Sequence, residues 1–190
     1  MDIAGWNEKY RSGERGEEDA PTVLVVEVAS KLARGTAIDL ACGAGRNALY
    51  LAERGWAVTA VDGSEKAIEL VQERSAVRGL EIQTKVADLT SPNFAIQADA
   101  FDLIVIAYYL QRDLFAKAKA ALRPDGVVVA IAHTSESGEK WNEKRARPGE
   151  LREFFDDWEL LWEYEGLSRD SAHHRPVAEI VARRVVSPVL

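Results

Sequence analysis

The stretch over residues 36–62 constrains the fold of this chain more than any other. It runs as a short apolar segment, a loop that holds Gly43 and Gly45, an amphipathic segment, and a second apolar segment followed by Asp62. Short apolar runs bounded by glycine indicate buried strands, and a helical apolar repeat between two of them predicts a helix. A strand, a glycine turn, a helix and a further strand make one βαβ unit, in which the two strands lie parallel.

The same alternation continues along most of the chain. We predict helices over 21–32, 46–54, 64–79 and 113–122, strands over 37–41, 57–61, 81–86, 101–107 and 127–132, and a turn over 123–126. A polar segment over 134–147 and a short helix over 149–155 precede two closing strands over 158–164 and 178–185. Because no helix-sized pattern separates the closing strands, they must pair antiparallel. The expected fold class is α/β: a doubly wound, mostly parallel seven-stranded sheet with an antiparallel C-terminal hairpin strand.

Size and charge narrow the class of protein. The chain has 190 residues, one cysteine and a formal net charge of −7. This length predicts a single domain over 1–190, with residues 1–20 as an N-terminal tail or lid and the polar segment near the mouth of the site. The acidic balance argues against a nucleic-acid partner. The sequence has no signal-peptide pattern and no bilayer-spanning apolar run, so we expect a cytoplasmic protein without a membrane partner and leave its oligomeric state open.

The glycine loop and three acidic residues predict a nucleoside site. Glycine lets the backbone turn tightly and approach a ligand closely, and residues 43–48 also fit the relaxed dinucleotide fingerprint. Asp39, Asp62 and Asp88 stand near the ends of the first three predicted strands, which we interpret as equivalent places. An acid that ends the second strand can accept hydrogen bonds from ribose hydroxyls. Each acid alone could merely cap the next turn, but three in register favour an adenosine cofactor.

The charge of the loop separates the candidate adenosine cofactors. Asp39 adds a negative charge beside a loop where a dinucleotide would place two more. A cofactor with a cationic centre and an amino group would favour that charge, and S-adenosylmethionine has both. Arg46 falls in the first turn of a helix, where a cation opposes the helix dipole. Arg46 either pairs with a carboxylate, such as the methionine end of the cofactor, or is a solvated surface arginine.

Five short motifs carry a resemblance to a known family. They are residues 39–45 (Asp-Leu-Ala-Cys-Gly-Ala-Gly), Val61-Asp62, Ala87-Asp88-Leu89, residues 101–104 (Phe-Asp-Leu-Ile) and residues 122–126 (Leu-Arg-Pro-Asp-Gly). Over about residues 20–185 the chain resembles the class I S-adenosylmethionine-dependent methyltransferases, and its loop 42–47 and segment 6–10 are similar to the tellurite-resistance and thiopurine-like branch. The resemblance implies a Rossmann-like fold, methyl transfer and S-adenosylmethionine as cofactor. Ala41 and Asn47 replace the first and last glycines of the common Asp-x-Gly-x-Gly-x-Gly pattern, so a different loop geometry is expected.

The resemblance also implies a set of cofactor-binding residues. In it, Gly43 and Gly45 line the cofactor, Asp62 holds the ribose hydroxyls and Asp88 receives the adenine amino group. The full candidate set is Asp39, Ala41, Gly43, Gly45, Arg46, Asn47, Asp62, Gly63, Ala87, Asp88 and Leu89, with Trp6, Tyr10 and Arg11 from the tail. Solvated tails are poor in large aromatics, so we expect the tail to fold over the cofactor as a lid; a freely disordered tail is the alternative.

The candidate catalytic residues follow later strands. They are Tyr108, Tyr109, His133, His174 and Arg175. The tyrosines, with Gln111, either contact a sulfonium and wall the acceptor pocket or pack at a strand-to-helix junction. His133 either binds the acceptor, removes a proton or is a structural histidine. The resemblance implies that the loop with His174 and Arg175 helps to form the acceptor site. The adjacent histidines His173 and His174 have no carboxylate or cysteine at metal-ligand spacing, so no metal is expected.

Three functions fit these residues. The first is a methyltransferase that uses S-adenosylmethionine on a small-molecule acceptor, with a thiol, selenium or tellurium species as the soft nucleophile. The second is an NAD-dependent oxidoreductase built on the same loop, although no Tyr-x-x-x-Lys pair is obvious. The third is a non-catalytic adenosine-binding module. Methyl transfer needs no catalytic triad, because a sulfonium is already activated and alignment supplies most of the catalysis.

Overall fold

The computed structural model describes residues 2–135, 142–171 and 173–185. Within it the chain divides into two compact units, residues 1–94 and 95–190. Each unit has its own helices and strands. A single domain over 1–190 therefore stays a prediction, and residues 136–141 of the predicted polar segment lie outside the described residues.

Helices and strands alternate along the described residues. The helices are α1 (Ile3–Arg11), α2 (Val23–Ala29), α3 (Arg46–Glu53), α4 (Glu65–Val77), α5 (Arg112–Ala121) and α6 (Glu150–Glu153). The strands are β1 (Thr36–Leu40), β2 (Ala57–Asp62), β3 (Ile82–Val86), β4 (Phe101–Ala107), β5 (Leu122–His133), β6 (Glu159–Leu167) and β7 (Pro176–Arg183). None of the helices in these ranges is both long enough and apolar enough to cross a membrane.

The strands form a seven-stranded sheet in the order β3-β2-β1-β4-β5-β7-β6. In the first unit, β1 pairs with β2 and β2 pairs with β3, both in parallel. In the second unit, β4 pairs with β5 in parallel, whereas β7 pairs antiparallel with both β5 and β6. The sheet confirms the predicted α/β class with an antiparallel C-terminal hairpin.

The prediction of a separate turn over residues 123–126 is wrong. These residues lie inside β5, at a point where the pairing with β4 jumps from Leu122 to Val127. Asp125 adopts a left-handed backbone with φ of 63°, and its amide donates to the carbonyl of Arg184 at 3.1 Å. The segment is therefore a bulge, in which the backbone bends but keeps its hydrogen bonds to the residue that follows β7.

The N-terminal tail contains a helix that the sequence did not predict. The Asp2 side chain accepts a hydrogen bond from the Gly5 amide at 2.9 Å, and so caps the start of α1. None of the α1 residues is buried, so the apolar repeat that identifies a core helix is missing from this segment. Helix α1 packs against α4 within the first unit.

A buried ion pair holds the segment around α6 in the second unit. Glu150 is 3% exposed, and its two carboxylate oxygens accept from Arg112 Nε at 2.6 Å and Arg112 Nη2 at 3.1 Å. The Arg147 amide donates to the same carboxylate at 2.8 Å. Arg112 also donates to the carbonyl of Glu143 at 2.7 Å, so one arginine fixes the chain on both sides of Arg147. The helix predicted over 149–155 shortens here to the single turn of α6.

Candidate functional site

The loop between β1 and α3 needs glycine at two positions. Gly43 has φ of 56° and Gly45 has φ of 83°, both left-handed. A Cβ added to Gly43 would stand 2.6 Å from Tyr10 Oη, and a Cβ added to Gly45 would stand 2.7 Å from a methyl of Val71. Any side chain at either position would strain the backbone and collide with a neighbour. The two glycines therefore let Tyr10 and Val71 pack directly against the loop backbone, in the segment where the sequence predicted a ligand.

The two departures from the common glycine pattern have different consequences. Ala41 is left-handed with φ of 56°, so this position keeps the conformation that favours glycine, at a cost of about 1–2 kcal/mol. Asn47 is buried in α3 and its Oδ1 accepts from the Thr22 amide at 2.9 Å. The side chain of Asn47 thus anchors the start of α2.

Asp62 joins the glycine loop to the end of β2. Its Oδ2 accepts from the Gly43 amide at 2.9 Å and its Oδ1 accepts from the Ser64 amide at 2.8 Å. Burial raises the pKa of Asp62, while hydrogen bonds from the backbone of Ser64, Gly43 and Gly63 oppose that rise. Each carboxylate oxygen has a second lone pair. With three backbone hydrogen bonds on about four lone-pair sites, the carboxylate keeps room for a further hydrogen bond from a ligand hydroxyl.

Asp39 is a sealed carboxyl group beside the same loop. It is 1% exposed, and its Oδ2 has no hydrogen-bond partner among the described residues. Burial raises the pKa of Asp39 to about 7, and the nearby Arg46 opposes the rise. Arg46 itself donates from Nη1 to the Ala20 carbonyl at 3.2 Å.

The prediction that the three acids occupy equivalent places is wrong. Asp39 pairs with Ala60, two residues before Asp62, and Asp62 pairs with Val86, two residues before Asp88. The acids are therefore staggered, because β1 continues past Asp39 while β3 ends before Asp88. Asp39 lies within a strand, and the other two acids border loops.

Asp88 and its neighbours form a turn after β3. The Thr90 amide and hydroxyl both donate to Asp88 Oδ1, at 2.8 and 2.6 Å, and these hydrogen bonds lower the pKa of Asp88. The Ala87 amide donates to the Asp62 carbonyl at 2.9 Å. Leu89 is buried at 4% exposure. The turn thus holds an ionised carboxylate close to the end of β2.

Helix α1 is fastened to the start of α4 by Asn7. The Asn7 side-chain oxygen accepts from Ser64 Oγ at 2.7 Å and from the Lys66 amide at 3.1 Å. Ser64 Oγ in turn accepts from the Ala67 amide at 3.1 Å and caps α4, as predicted. Asn7, which the sequence reasoning missed, therefore ties the tail to the helix that follows β2.

The same helix covers the backbone at both strand ends. A Cβ added to Gly63 would meet the Ile3 side chain at 3.0 Å, and Tyr10 Oη stands over Gly43. Burial, followed by the charge of Asp62, raises the pKa of Tyr10. Helix α1 therefore lies across the loop after β1 and the residue after β2.

The predicted lid residues differ in their placement. Tyr10 reaches the glycine loop, and Trp6 lies beside it with a ring-centroid distance of 6.2 Å and 38% exposure. Arg11 is exposed and pairs with Glu8 at 2.6 Å. The structure thus brings one of these three side chains into contact with the loop.

The second unit brings together an aromatic and imidazole cluster. The rings of Tyr108 and His173 are stacked, with centroids 3.4 Å apart and planes 7° apart. The His133 ring lies 5.3 Å from each of them. Tyr108 has φ of 60°, an uncommon conformation for a bulky residue that marks functional or strained positions.

The remaining candidates of the second unit stand apart from this cluster. Tyr109 donates from its hydroxyl to Gln111 Oε1 at 2.6 Å, while His174 and Arg175 are exposed. His173, rather than His174, packs on Tyr108. The described ranges contain no group of three side chains suited to hold a metal ion.

Comparison with known proteins identifies related chains. A family described as "Tellurite resistance protein TehB" matches residues 16–175. The probable S-adenosyl-L-methionine-dependent methyltransferase TehB of Haemophilus influenzae (strain 10810) is 27% identical over 153 residues, which are 72% of this chain and 50% of that protein. The chain thus spans about half the length of this curated relative.

Solved structures give the same fold. The crystal structure of TehB from Haemophilus influenzae superposes with a TM-score of 0.76 at 27% identity, covering 94% of this chain and 67% of that chain. A Burkholderia thailandensis 1,6-didemethyltoxoflavin-N1-methyltransferase with bound 1,6-didemethyltoxoflavin and S-adenosylhomocysteine has a TM-score of 0.74 at 18% identity, covering 97% and 87%. At that identity the second likeness shows the fold alone.

Proposed function

Because this chain belongs to the TehB tellurite-resistance family, we propose that it transfers a methyl group from S-adenosylmethionine to a small-molecule acceptor. Membership confirms the resemblance to the tellurite-resistance branch of the class I methyltransferases. The observation that carries the proposal is the bridge of Asp62 between the Gly43 and Ser64 amides. This bridge holds a bare backbone loop beside an acid that ends the second strand, which is the arrangement that binds a nucleoside.

The residues of the first unit fit S-adenosylmethionine. Asp62 keeps room on its carboxylate for a hydrogen bond from the ribose hydroxyls. A Cβ at Gly43 or Gly45 would collide with Tyr10 or Val71, so these glycines keep the loop close to helices α1 and α4, and we assign the amino-acid part of the cofactor to the same loop. Asp88, ionised in its turn, is the acceptor for the adenine amino group.

The buried charge of Asp39 favours a cation. In a low-dielectric surrounding a carboxylate acts over several ångströms, and the ionised form of Asp39, whose pKa is about 7, attracts a sulfonium and repels a diphosphate. When bound, S-adenosylmethionine supplies an activated methyl group. The residues of this chain hold the cofactor, exclude water and orient the acceptor, since alignment at near-attack distance supplies most of the rate.

Helix α1 serves as the lid in this proposal. Tyr10 covers the glycine loop, Ile3 covers Gly63, and Asn7 fastens the helix to α4. A closed lid keeps water from the reacting atoms. Trp6 borders the same helix face, while Arg11, on its exposed side, acts at most on the rim.

The acceptor is proposed to be a soft nucleophile: a thiol, a selenium species or a tellurium species. Tyr108, His133 and His173 form the acceptor-side cluster, and Tyr109, His174 and Arg175 remain predictions for its rim. An imidazole in this cluster can take the proton that a thiol or selenol loses. A screen of thiols, selenite, tellurite and amines with labelled methyl donor tests the class of acceptor. A cytoplasmic location and the lack of a nucleic-acid partner also stay predictions.

Ligand-induced stabilisation tests the cofactor. At about 100 times its Kd a ligand stabilises the folded state by about 2.7 kcal/mol, which raises Tm by about 5–10 °C for a chain of this size. We expect S-adenosylhomocysteine to give this shift and NAD to give none. Asp62→Asn should abolish the shift, while the exposed control Glu65→Gln should keep it.

The outcomes separate the three functions. A shift with NAD alone would replace the methyltransferase by an oxidoreductase, an assignment that family membership does not favour. A shift with S-adenosylhomocysteine and no turnover across the screen would favour a non-catalytic adenosine-binding module.

A further inference from the structure

A closed cycle of hydrogen bonds with Asp170 and Ser168 fixes Tyr108 in the second unit. The Tyr108 hydroxyl donates to Asp170 Oδ2 at 3.2 Å and lies 3.2 Å from Ser168 Oγ. Since the phenol has a single proton, the Ser168 hydroxyl donates to the phenol oxygen. Ser168 Oγ also accepts from the Asp170 amide at 3.2 Å. The cycle runs from the Asp170 amide to Ser168 Oγ, from the Ser168 hydroxyl to the phenol oxygen, and from the phenol hydroxyl to the Asp170 carboxylate, so each donor faces an acceptor.

Asp170 reaches the neighbouring imidazole as well. Its backbone carbonyl accepts from the His173 amide at 2.9 Å, and the His173 ring stacks on the Tyr108 ring. One residue thus holds the tyrosine through its side chain and the histidine through its backbone. Asp170 is 5% exposed, and a buried carboxylate needs compensating contacts. The hydrogen bond from the Tyr108 hydroxyl is one such contact.

The conformation of Tyr108 supports the same reading. A bulky residue with φ of 60° is strained, and such strain persists only where the surroundings determine it. The amide of Tyr108 donates to the Ile131 carbonyl at 2.8 Å, which fixes the backbone end. The hydrogen bonds with Asp170 and Ser168 fix the hydroxyl end, so the aromatic plane of Tyr108 has little freedom.

We propose that Asp170 is a positioning residue, which holds the stacked rings of Tyr108 and His173 as one rigid wall of the acceptor site. The inference rests on the proposed function, because it assigns that wall to methyl transfer. Rigid support of contact residues matters for this chemistry, since a displacement of about 1 Å can cost about 100-fold in rate. Asp170 itself acts through the two rings.

Nuclear magnetic resonance of the full chain tests the placement directly. A histidine ring stacked on a phenol has its C–H resonances moved upfield by the ring current. We expect Asp170→Ala to move the His173 resonances back towards their unstacked positions, and Asp170→Asn to keep them, because the amide oxygen still accepts from the Tyr108 hydroxyl. Tyr108→Phe removes the same hydroxyl without altering the turn, and it gives the same readout if Asp170→Ala does not fold. Asp113→Ala, at an exposed carboxylate of α5, is the matched control.

Binding and turnover complete the test. S-adenosylhomocysteine should bind Asp170→Ala with a Kd within about twofold of the unsubstituted chain. The rate with whichever of thiophenol, selenite and tellurite reacts fastest should fall about 10- to 100-fold and recover to within about threefold in Asp170→Asn. Unchanged His173 resonances in Asp170→Ala and Tyr108→Phe would overturn the proposal, as would an unchanged rate. If the unsubstituted chain does not bind S-adenosylhomocysteine, the proposed function is overturned instead. The His173 resonances would still decide whether Asp170 holds the two stacked rings.

Discussion

Two buried carboxyl groups, Asp39 in the first unit and Glu150 in the second, differ in their hydrogen-bond partners. They are 1% and 3% exposed. Glu150 accepts from Arg112 twice and from the Arg147 amide, whereas Asp39 Oδ2 has no partner among the described residues. The comparison separates a carboxylate that supports the chain from one whose burial is only partly offset, by the charge of Arg46, beside a candidate ligand site.

The pKa shifts follow the same division. Burial raises the pKa of Asp39 to about 7. Burial also acts to raise the pKa of Glu150, but the hydrogen bonds from Arg112 and Arg147 outweigh it and lower the pKa. The pKa of Asp39 is raised above its unfolded value, so its contribution to stability is lost as pH rises from about 4 to 7. Glu150 stabilises the folded chain at pH values above its unfolded pKa, and this stabilisation is lost as pH falls through its lowered folded pKa.

The largest effect is expected from removing the compensated carboxylate. Glu150→Ala leaves the Arg112 guanidinium without its partner and frees the segment around α6, so we expect a loss of about 3–4 kcal/mol in the free energy of unfolding. Urea denaturation at pH 7 measures it. Glu153→Ala, in the same helical turn, is the control and should change stability by less than about 0.5 kcal/mol. A loss no larger than that of the control would contradict the comparison.

Removing the charge of Asp39 should change stability in the opposite direction. The pKa of Asp39 rises from 3.8 to about 7, which at about 1.4 kcal/mol per pKa unit amounts to about 4 kcal/mol at pH 8. Because the asparagine amide is still a buried polar group, we expect Asp39→Asn to gain about 2–3 kcal/mol there. The gain should shrink as pH falls below 7 and disappear near pH 4, where the carboxyl group is neutral in both the native and the unfolded state. Denaturation of both proteins across this range checks the curve. The same variant should bind S-adenosylhomocysteine with little change but S-adenosylmethionine more weakly, because only the latter carries the sulfonium charge.

Close contact at the glycine loop should have an intermediate effect. Gly45→Ala combines left-handed strain with the 2.7 Å approach to Val71, and we expect a destabilisation of about 2 kcal/mol. Gly79→Ala has φ of 66° but nothing within 4 Å of its Cβ, so it isolates the strain at about 1 kcal/mol. Equal losses in thermal unfolding would show that Val71 yields and that the loop is not tightly packed.

The smallest effect concerns the fastening of α1. Asn7→Ala removes the acceptor for Ser64 Oγ and the Lys66 amide, at a cost of about 1 kcal/mol. In the proposed lid this accelerates dissociation of S-adenosylhomocysteine about fivefold, as surface plasmon resonance would measure. Glu8→Ala, on the exposed side of the same helix, should leave the rate unchanged. An unaltered rate in Asn7→Ala would separate α1 from the cofactor.

The sequence predicted the parts of the molecule that depend on the backbone. Buried strands such as β4 appear as continuous apolar runs, and the left-handed glycines mark the loop after β1. The N-cap at Ser64 was likewise visible, because a hydroxyl residue precedes the amphipathic segment. These features are local, so a single stretch of sequence contains them.

The features that the sequence missed depend on contacts between distant residues. The cluster of Tyr108, His133 and His173 assembles from β4, β5 and an irregular loop, and nothing in the spacing distinguished His173 from His174. Helix α1 has a cap at Asp2 but no apolar stripe. The stagger of the acids depends on strand register, which a list of strand ends does not contain.

The buried thiol of Cys42 makes the opening of the glycine loop measurable by chemical labelling. It is the single cysteine of the chain, it is 9% exposed, and burial raises its pKa. An alkylating reagent reacts with thiolate, so labelling must wait for the loop to open. The mass gained with time after adding such a reagent therefore counts openings of this one loop, and a molecule seated over it slows the count.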